Sequence, residues 1–260
     1  MPSSTPTQPT LQSYDFFLVF DVEATCQEGA GMDYPNEIIE WPVCLLGWRD
    51  KTNGILDIVS EFRTFVKPTW RPQLSEFCTR LTGITQDQTD NAPSFPDVIQ
   101  SMADFLITHR ILDETDCRPL VRFCWCSDGP WDICDFVVKQ CFISKVNHII
   151  LIEAISRASR SREMKVPQWI SNQFIDVRVL LCGRDRKKHR TMNISKQLQV
   201  LQLGAFIGRP HSGIDDARNI SRVLIELARR SRPLLPTTVV NVRRRWKWMG
   251  RAGKIIEAEL

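Results

Sequence analysis

No stretch of the 260-residue chain approaches the roughly 18 consecutive apolar residues that crossing a bilayer takes. The opening Met-Pro-Ser-Ser-Thr-Pro-Thr-Gln-Pro has neither the basic start and apolar run of a secretory signal nor the arginines of a transit peptide. The expected location is therefore cytoplasmic and/or nuclear, with no membrane partner. Cys-x-x-Cys spacing is missing as well. The nine cysteines are odd in number and scattered through apolar stretches, a pattern that fits reduced core thiols rather than a zinc site or a secreted disulfide scaffold. No internal repeat and no mid-chain linker is visible. At 43% hydrophobic and 25% charged residues the composition is that of a folded protein, which excludes a wholly disordered chain.

The net charge of +4 is unremarkable until it is located. Seven basic and two acidic residues fall after residue 230, so that segment carries +5 and the rest of the chain −1. A near-neutral body with a basic appendage points to a polyanionic partner, or to a solvated tail that aids solubility.

Along the chain, residues 1–13 are rich in Pro, Ser and Thr and are expected to be disordered. Phe16-Phe17-Leu18-Val19-Phe20 is long enough for a buried strand and too short for a helix. Residues 38–47 and 58–66 read as two more strands, with the turn signal Asn53-Gly54 between them. Helical spacing follows at 74–81 and 94–108, the latter with Ser94 and Asp97 placed as a capping box. Residues 120–126 read as a fourth strand and 130–142 as a helix with proline in its first turn. The polar stretch 156–165 reads as a loop or frayed helix, and 174–181 is open between strand and helix. Residues 193–203 and 214–230 are helices. Three strands followed by alternating helices and strands give an α/β fold with a mixed sheet, residues 14–230 forming one domain.

Four acids and a histidine stand out by position. Asp21 and Glu23 follow the first buried run, and strand alternation puts both carboxylates on one side. Strand ends are where open α/β sheets bind ligands. Carboxylates packed beside an apolar strand are costly unless cations neutralise them, and hard divalent ions with oxygen ligands suit that task. Asp132 begins the helix after the fourth strand; His211 and Asp216 bracket the start of the last one. Taken singly, each has a bland reading: an Asp-x-Glu triplet arises by chance, and acids favour helix N-termini as caps.

Together, Asp21-x-Glu23, Asp132 and His211-x-x-x-x-Asp216 resemble the DEDDh class of 3′-to-5′ exonucleases. The surrounding motifs are similar to one subfamily. They are Phe20-Asp21-Val22-Glu23-Ala24-Thr25-Cys26, Glu37-Ile38-Ile39-Glu40-Trp41-Pro42-Val43, Leu81-Thr82-Gly83-Ile84-Thr85-Gln86, Ser127-Asp128-Gly129-Pro130-Trp131-Asp132 and Arg209-Pro210-His211-Ser212-Gly213-Ile214-Asp215-Asp216. That subfamily is the Eri-type exoribonucleases, the enhancer-of-RNA-interference and histone-mRNA 3′ exonuclease group. The resemblance covers about residues 15–230.

It implies a ribonuclease-H-like fold, a mixed central sheet flanked by helices. The implied activity is metal-dependent hydrolysis of single-stranded RNA 3′ ends or overhangs to nucleoside 5′-monophosphates by a two-metal mechanism. Asp21, Glu23, Asp132 and Asp216 would ligate two Mg²⁺ ions, with Mn²⁺ able to substitute. Glu23 and His211 would be the catalytic residues, His211 as general base because an imidazole titrates near neutrality. Asp132 is preferred to Asp128, and Asp216 to Asp215. Phe77 and Trp131 would sandwich the terminal base, and the backbone at Ala24 and Thr25 would contact the terminal nucleotide. Two other functions stay open: a DNA-directed DEDDh exonuclease, and a catalytically silent RNA-binding scaffold. The physiological RNA, whether in RNA interference or other RNA processing, is not set by the sequence.

Two departures from the family are expected. The 13 leading residues leave no room for the SAP nucleic-acid-binding domain of larger members. The segment 231–260 matches no family motif. Arg243, Arg244 and Arg245 interleaved with Trp246 and Trp248 either contact RNA by phosphate pairing and stacking, or fold back as a hairpin turning near residues 250–253.

Overall fold

A computed structural model describes residues 12–145, 173–183, 185, 192–241, 243–251 and 253–260. The first apolar run is strand β1, Phe16–Phe20. Its side chains alternate between two hydrophobic layers: Leu18 and Phe20 on one face, Phe17 and Val19 on the other. A strand buried on both faces has no need of polar alternation, which is why the run is continuous.

The chain resumes as the short β2, Glu23–Ala24, then β3, Ile38–Asp50, and β4, Ile55–Phe65. β3 pairs antiparallel with β1, β2 and β4, and β2 continues the line of β1 along the same edge of β3. The Asn53-Gly54 signal falls in the β3–β4 turn, where Gly54 takes a left-handed φ of 69°. β5, Phe123–Ser127, lies parallel to β1, and β6, Gln173–Asp176, parallel to β5. β7, Thr238–Val239, closes that side antiparallel to β6. The sheet is therefore mixed.

Helices cover both faces. α1 is Glu76–Thr82 and α2 Gln86–Asp90. α3, Phe95–Thr108, starts at the expected box, where the Ser94 N–H and hydroxyl both donate to the Asp97 carboxylate. After β5 comes a π-helical turn, Asp132–Val137, running into α4, Val138–Ile143. α5 is Val177–Cys182, α6 Ile194–Val200 and α7 Gly213–Arg229. Residues of α3, the π-helical turn and α4 pack with Leu18, Phe20 and Trp125, whereas α6 and α7 pack with Phe17, Val19, Cys124 and Cys126. All nine cysteines are free thiols.

Several expected boundaries shift. The fourth strand starts at Phe123 rather than 120, because Leu120 is held outside by an N–H bond to the Ile111 carbonyl. The open segment 174–181 is both things in turn. β6 ends at Asp176, whose carboxylate accepts the N–H groups of Arg178 and Val179 and so starts α5. The leading segment reaches the fold by Gln12, which is buried and hydrogen-bonds the backbone of Arg232 and Leu234. The stretch 156–165 lies outside the described residues.

Residues 231–260 are stitched into the fold. Leu234 belongs to one core layer; Val240, Trp246, Trp248, Met249 and Ile255 belong to the other. Met249 and Ile255 bridge antiparallel, and the Gly250 N–H meets the Lys254 carbonyl at 2.8 Å, so the chain turns through Gly253. This is the fold-back reading of the basic segment. Trp246 and Trp248 are buried and stack on each other, so neither ring has a face left for a base. Arg244 pairs with Asp135 and lies over the Trp246 ring; Arg245 lies over Phe142. The expected RNA stacking at Trp246 and Trp248 is corrected accordingly, since packing covers both rings, whereas Arg244 and Arg245 stay exposed beside their partners. Arg243 is exposed.

Candidate active site

β1 ends at Phe20, and the next four residues cross the edge where the helices converge. Asp21 and Glu23 emerge on the same side, as alternation requires. Asp216, in the first turn of α7, joins them: one carboxylate oxygen from each of the three lies within 4.8 Å of the others. Two local features bring α7 so close. Gly213 opens the helix, and a Cβ there would sit 2.5 Å from the Asp21 carbonyl oxygen, so only glycine admits the approach. The Gly213 N–H then donates to the buried Glu40 at 3.1 Å, while Arg63 neutralises the other Glu40 oxygen at 2.6 Å.

Asp132 comes near the cluster from the far side of β1 without joining the group of three. It opens the π-helical turn, and its Oδ1 accepts the Val22 N–H at 3.1 Å. π-turns are rare and recur at functional sites. Asp128, the competing acid, is already satisfied. Arg178 grips it with two bonds, at 2.9 and 2.5 Å, and Gln197 adds a third at 2.5 Å. Asp215 likewise accepts from the Arg209 N–H and from Arg218. The structure therefore gives Asp128 and Asp215 structural partners and brings Asp216 into the cluster, while Asp132 stands next to it, outside the group of three, with its charge acting on Asp21 and Glu23.

Electrostatically the cluster is under stress. Burial is the largest cause raising Asp21, Glu23, Asp132 and Asp216; repulsion within the group adds to it for Asp21 and Glu23, and the neighbouring Asp128 adds to it for Asp132 and Asp216. Asp132 and Asp216 are pushed up to about 7. Among the described residues, Asp216 Oδ2 is one of three buried side-chain polar atoms with no hydrogen-bond partner. A buried, unpartnered carboxylate oxygen facing two more carboxylates is a donor set for a hard divalent cation, and the residues present fit one.

His211 precedes α7 on an exposed turn, with a left-handed φ of 60°. Phe77, in the first turn of α1, is half-buried, and Trp131 is 38% exposed; neither belongs to a core layer. The Trp131 ring is fixed by Arg178, whose guanidinium carbon lies 5.0 Å from the ring centroid. Ala24 is buried in β2, its carbonyl meeting the Cys78 thiol. Thr25 differs from expectation. Its N–H donates to the Glu37 carbonyl at 2.7 Å and its hydroxyl accepts the Glu37 N–H, so its amide is spent on the sheet edge.

Arg178, Gln197 and Glu40 were not singled out by sequence reasoning. Glu40 lies inside a quoted motif, which is a signal of a kind. Arg178 and Gln197 stand 50 and 69 residues from Asp128, with nothing local to mark them.

The exonuclease family model of the RNase T type matches residues 18–224. The chain is 34% identical over 223 residues to the 3′-5′ exonuclease eri1 of Schizosaccharomyces pombe, covering 80% of this chain and 66% of that protein. Two solved structures resemble it. One is a 3′-exonuclease in 3′-end specific recognition of a histone mRNA stem-loop, with TM-score 0.72, 28% identity, and 91% and 71% of the two chains covered. The other is the nuclease domain of a DEDDh family member bound to rAMP, with TM-score 0.70, 30% identity, and 88% and 100% covered. The mixed sheet flanked by helices is thus a ribonuclease-H-like fold. The chain spans between about a third and two thirds of the length of the curated relatives it matches.

Proposed function

The chain belongs to the exonuclease family, and from that premise we propose that it is a 3′-to-5′ exoribonuclease releasing nucleoside 5′-monophosphates from single-stranded RNA ends or overhangs. One observation carries the reading: Asp21 and Glu23 from the end of β1 and Asp216 from α7 bring carboxylate oxygens within 4.8 Å of one another, and among the described residues one Asp216 oxygen is buried without a hydrogen-bond partner. The names of the relatives, exonuclease and exoribonuclease, support RNA as the substrate.

Asp21, Glu23, Asp132 and Asp216 would hold two divalent ions, Mg²⁺ or in its place Mn²⁺. When bound, such ions activate water and stabilise the leaving oxygen. Glu23 sits at the junction of β2 with the cluster, where a second role in ordering the attacking water is within reach. His211, exposed on the turn before α7, would take a proton from the attacking water as general base. Phe77 and Trp131 present half-exposed aromatic faces for the terminal base, a sequence-tolerant contact. The backbone at Ala24 lines the same edge. Nine free thiols support residence in a reducing compartment, cytoplasm or nucleus.

The test is purified protein with 5′-labelled RNA and a matched DNA oligonucleotide, with MgCl₂ or with EDTA. A single-nucleotide ladder on RNA that needs the metal is expected. A ladder on DNA alone would assign the other polymer, and RNA retention with no ladder on either polymer in MgCl₂ would make the chain a scaffold.

A further inference from the structure

The turn that carries His211 is exposed and sits in a backbone conformation that residues with a Cβ rarely adopt. Something other than burial must hold it. The Ser212 N–H bond to the Arg209 carbonyl at 3.2 Å and the backbone of His211 and Ser212 against the Asp216 carboxylate hold it from within, and one guanidinium ties it to the rest of the fold. Arg209 Nη1 donates to the His211 carbonyl at 3.2 Å, and Nη2 donates to the carbonyls of Arg80 and Leu81 at 2.9 and 3.0 Å. Its own N–H is tied to Asp215 Oδ2 at 3.0 Å.

Arg80 and Leu81 lie in the last turn of α1, where carbonyls have no partner within the helix. Gly83, which caps that helix at φ 74°, makes room: a Cβ there would meet Arg209 Nη1 at 2.9 Å. α1 is the helix that carries Phe77, and its Cys78 thiol touches the Ala24 carbonyl beside Glu23. The clasp therefore spans from the helix bearing Phe77 to the turn bearing His211, across 129 residues of sequence. Fixing the His211 carbonyl fixes the peptide plane on which the direction of its imidazole depends.

We infer that Arg209 is a positioning residue of the nuclease site, locking the His211 turn against α1 so that His211 and Phe77 form one preset wall. The inference rests on the exonuclease reading above. Arginine is required because three carbonyls in two directions are met by a planar fork of donors. A lysine ammonium on a flexible stem is a single point and meets them in part.

The experiment compares wild type, Arg209→Ala, Arg209→Lys, His211→Ala and the Arg209→Ala/His211→Ala double variant in steady-state cleavage of labelled RNA. Alongside it, NMR follows the imidazole signals of the four histidines, His211 being identified by the signal missing from His211→Ala. Displacing a catalytic group by about an ångström costs on the order of a hundredfold in rate. Arg209→Ala should therefore lower kcat by roughly tenfold to a hundredfold with KM changed less, and Arg209→Lys should recover part of it. The His211 signal should shift or broaden while the other three stay. In the double variant, the loss should equal that of His211→Ala alone, because Arg209 acts through His211.

Losses that multiply in the double variant, or an unchanged kcat in Arg209→Ala, would overturn the inference. So would movement of all four signals together, which would make Arg209 a support of the fold only. If wild type gives no ladder, the exonuclease reading fails by itself. The signals then still decide the clasp: an unmoved His211 resonance in Arg209→Ala refutes it.

Discussion

Asp132 Oδ1 accepts the backbone N–H of Val22 at 3.1 Å, so the acid on the π-helical turn grips the peptide that joins Asp21 to Glu23. Charge and shape are separable at this position. Asp132→Asn keeps the acceptor oxygen and loses the charge, whereas Asp132→Ala leaves the buried Val22 N–H without a partner, a cost of about 1–3 kcal/mol. We expect Asp132→Asn to melt in EDTA at or above the wild-type temperature and to lose activity by at least about a hundredfold, as loss of a metal ligand should exceed the usual cost of losing a supporting group. Asp132→Ala should be equally inactive and melt lower. Circular dichroism melts beside the cleavage assay separate the two effects.

The stressed carboxylates make stability depend on pH in an unusual sense. Asp216 rises from an ordinary 3.8 to about 7, chiefly through burial. The folded chain then holds that proton more tightly than the unfolded chain does. Its contribution is fully present below about pH 4 and is lost as pH climbs through about 7. Asp216→Asn removes the titration. Without divalent ions, the variant should gain on wild type between pH 4 and pH 8, by on the order of 2 kcal/mol at the top of that range. Adding MgCl₂ at pH 8 should reverse the order, because a bound cation stabilises only the chain that still has the ligand. Equal melting profiles of the two proteins across this range would show that Asp216 is not part of a buried acidic cluster.

Phe77 and Trp131 stand outside both core layers, so replacing them should disturb binding more than folding. Base stacking on an aromatic ring is worth about 1–3 kcal/mol. Phe77→Ala and Trp131→Ala should each raise KM for RNA by roughly fivefold to a hundredfold, with kcat changed by no more than a few fold. Melting temperatures should stay close to wild type. A large drop in melting temperature with unchanged KM would return both rings to the hydrophobic interior.

How far the sequence was legible follows from the range of the interactions. β1 was read exactly, since five consecutive apolar residues carry their own signal. The box at Ser94 was read for the same reason: its partners are three residues apart. Asp21 and Glu23 needed only strand alternation to be put on one side. The choice between Asp128 and Asp132 was of another kind. It depends on Arg178 and Gln197, which no local pattern connects to Asp128. Segment 174–181 was ambiguous because Asp176 ends a strand and caps a helix within one residue. The basic segment was the hardest. Alternating arginine and tryptophan reads equally as an RNA surface or as rings turned inward, and only the apolar face of the π-helical turn and α4 decides it.

That face supplies the last prediction. Lys139 of α4 is wholly buried and donates to the carbonyls of Met32 and Tyr34 and to Asn36, while its ammonium also lies 5.1 Å from the Trp246 ring centroid. Trp248 Nε1 donates to the Asp33 carbonyl at 2.5 Å, and Arg244 pairs with Asp135 one turn from Asp132. The C-terminal hairpin thus braces both the loop after Cys26 and the turn that presents Asp132. Removing a buried tryptophan typically costs about 3–5 kcal/mol. Trp248→Ala should lower the melting temperature by roughly 10 °C, and deletion of residues 231–260 should leave a chain that no longer folds cooperatively. Arg243→Ala and Lys247→Ala, both at exposed positions, should leave the melt unchanged while flattening the salt dependence of RNA binding if they touch phosphate. A truncated protein that melted like the full chain and lost only RNA affinity would restore the hairpin to the role of a nucleic-acid tail.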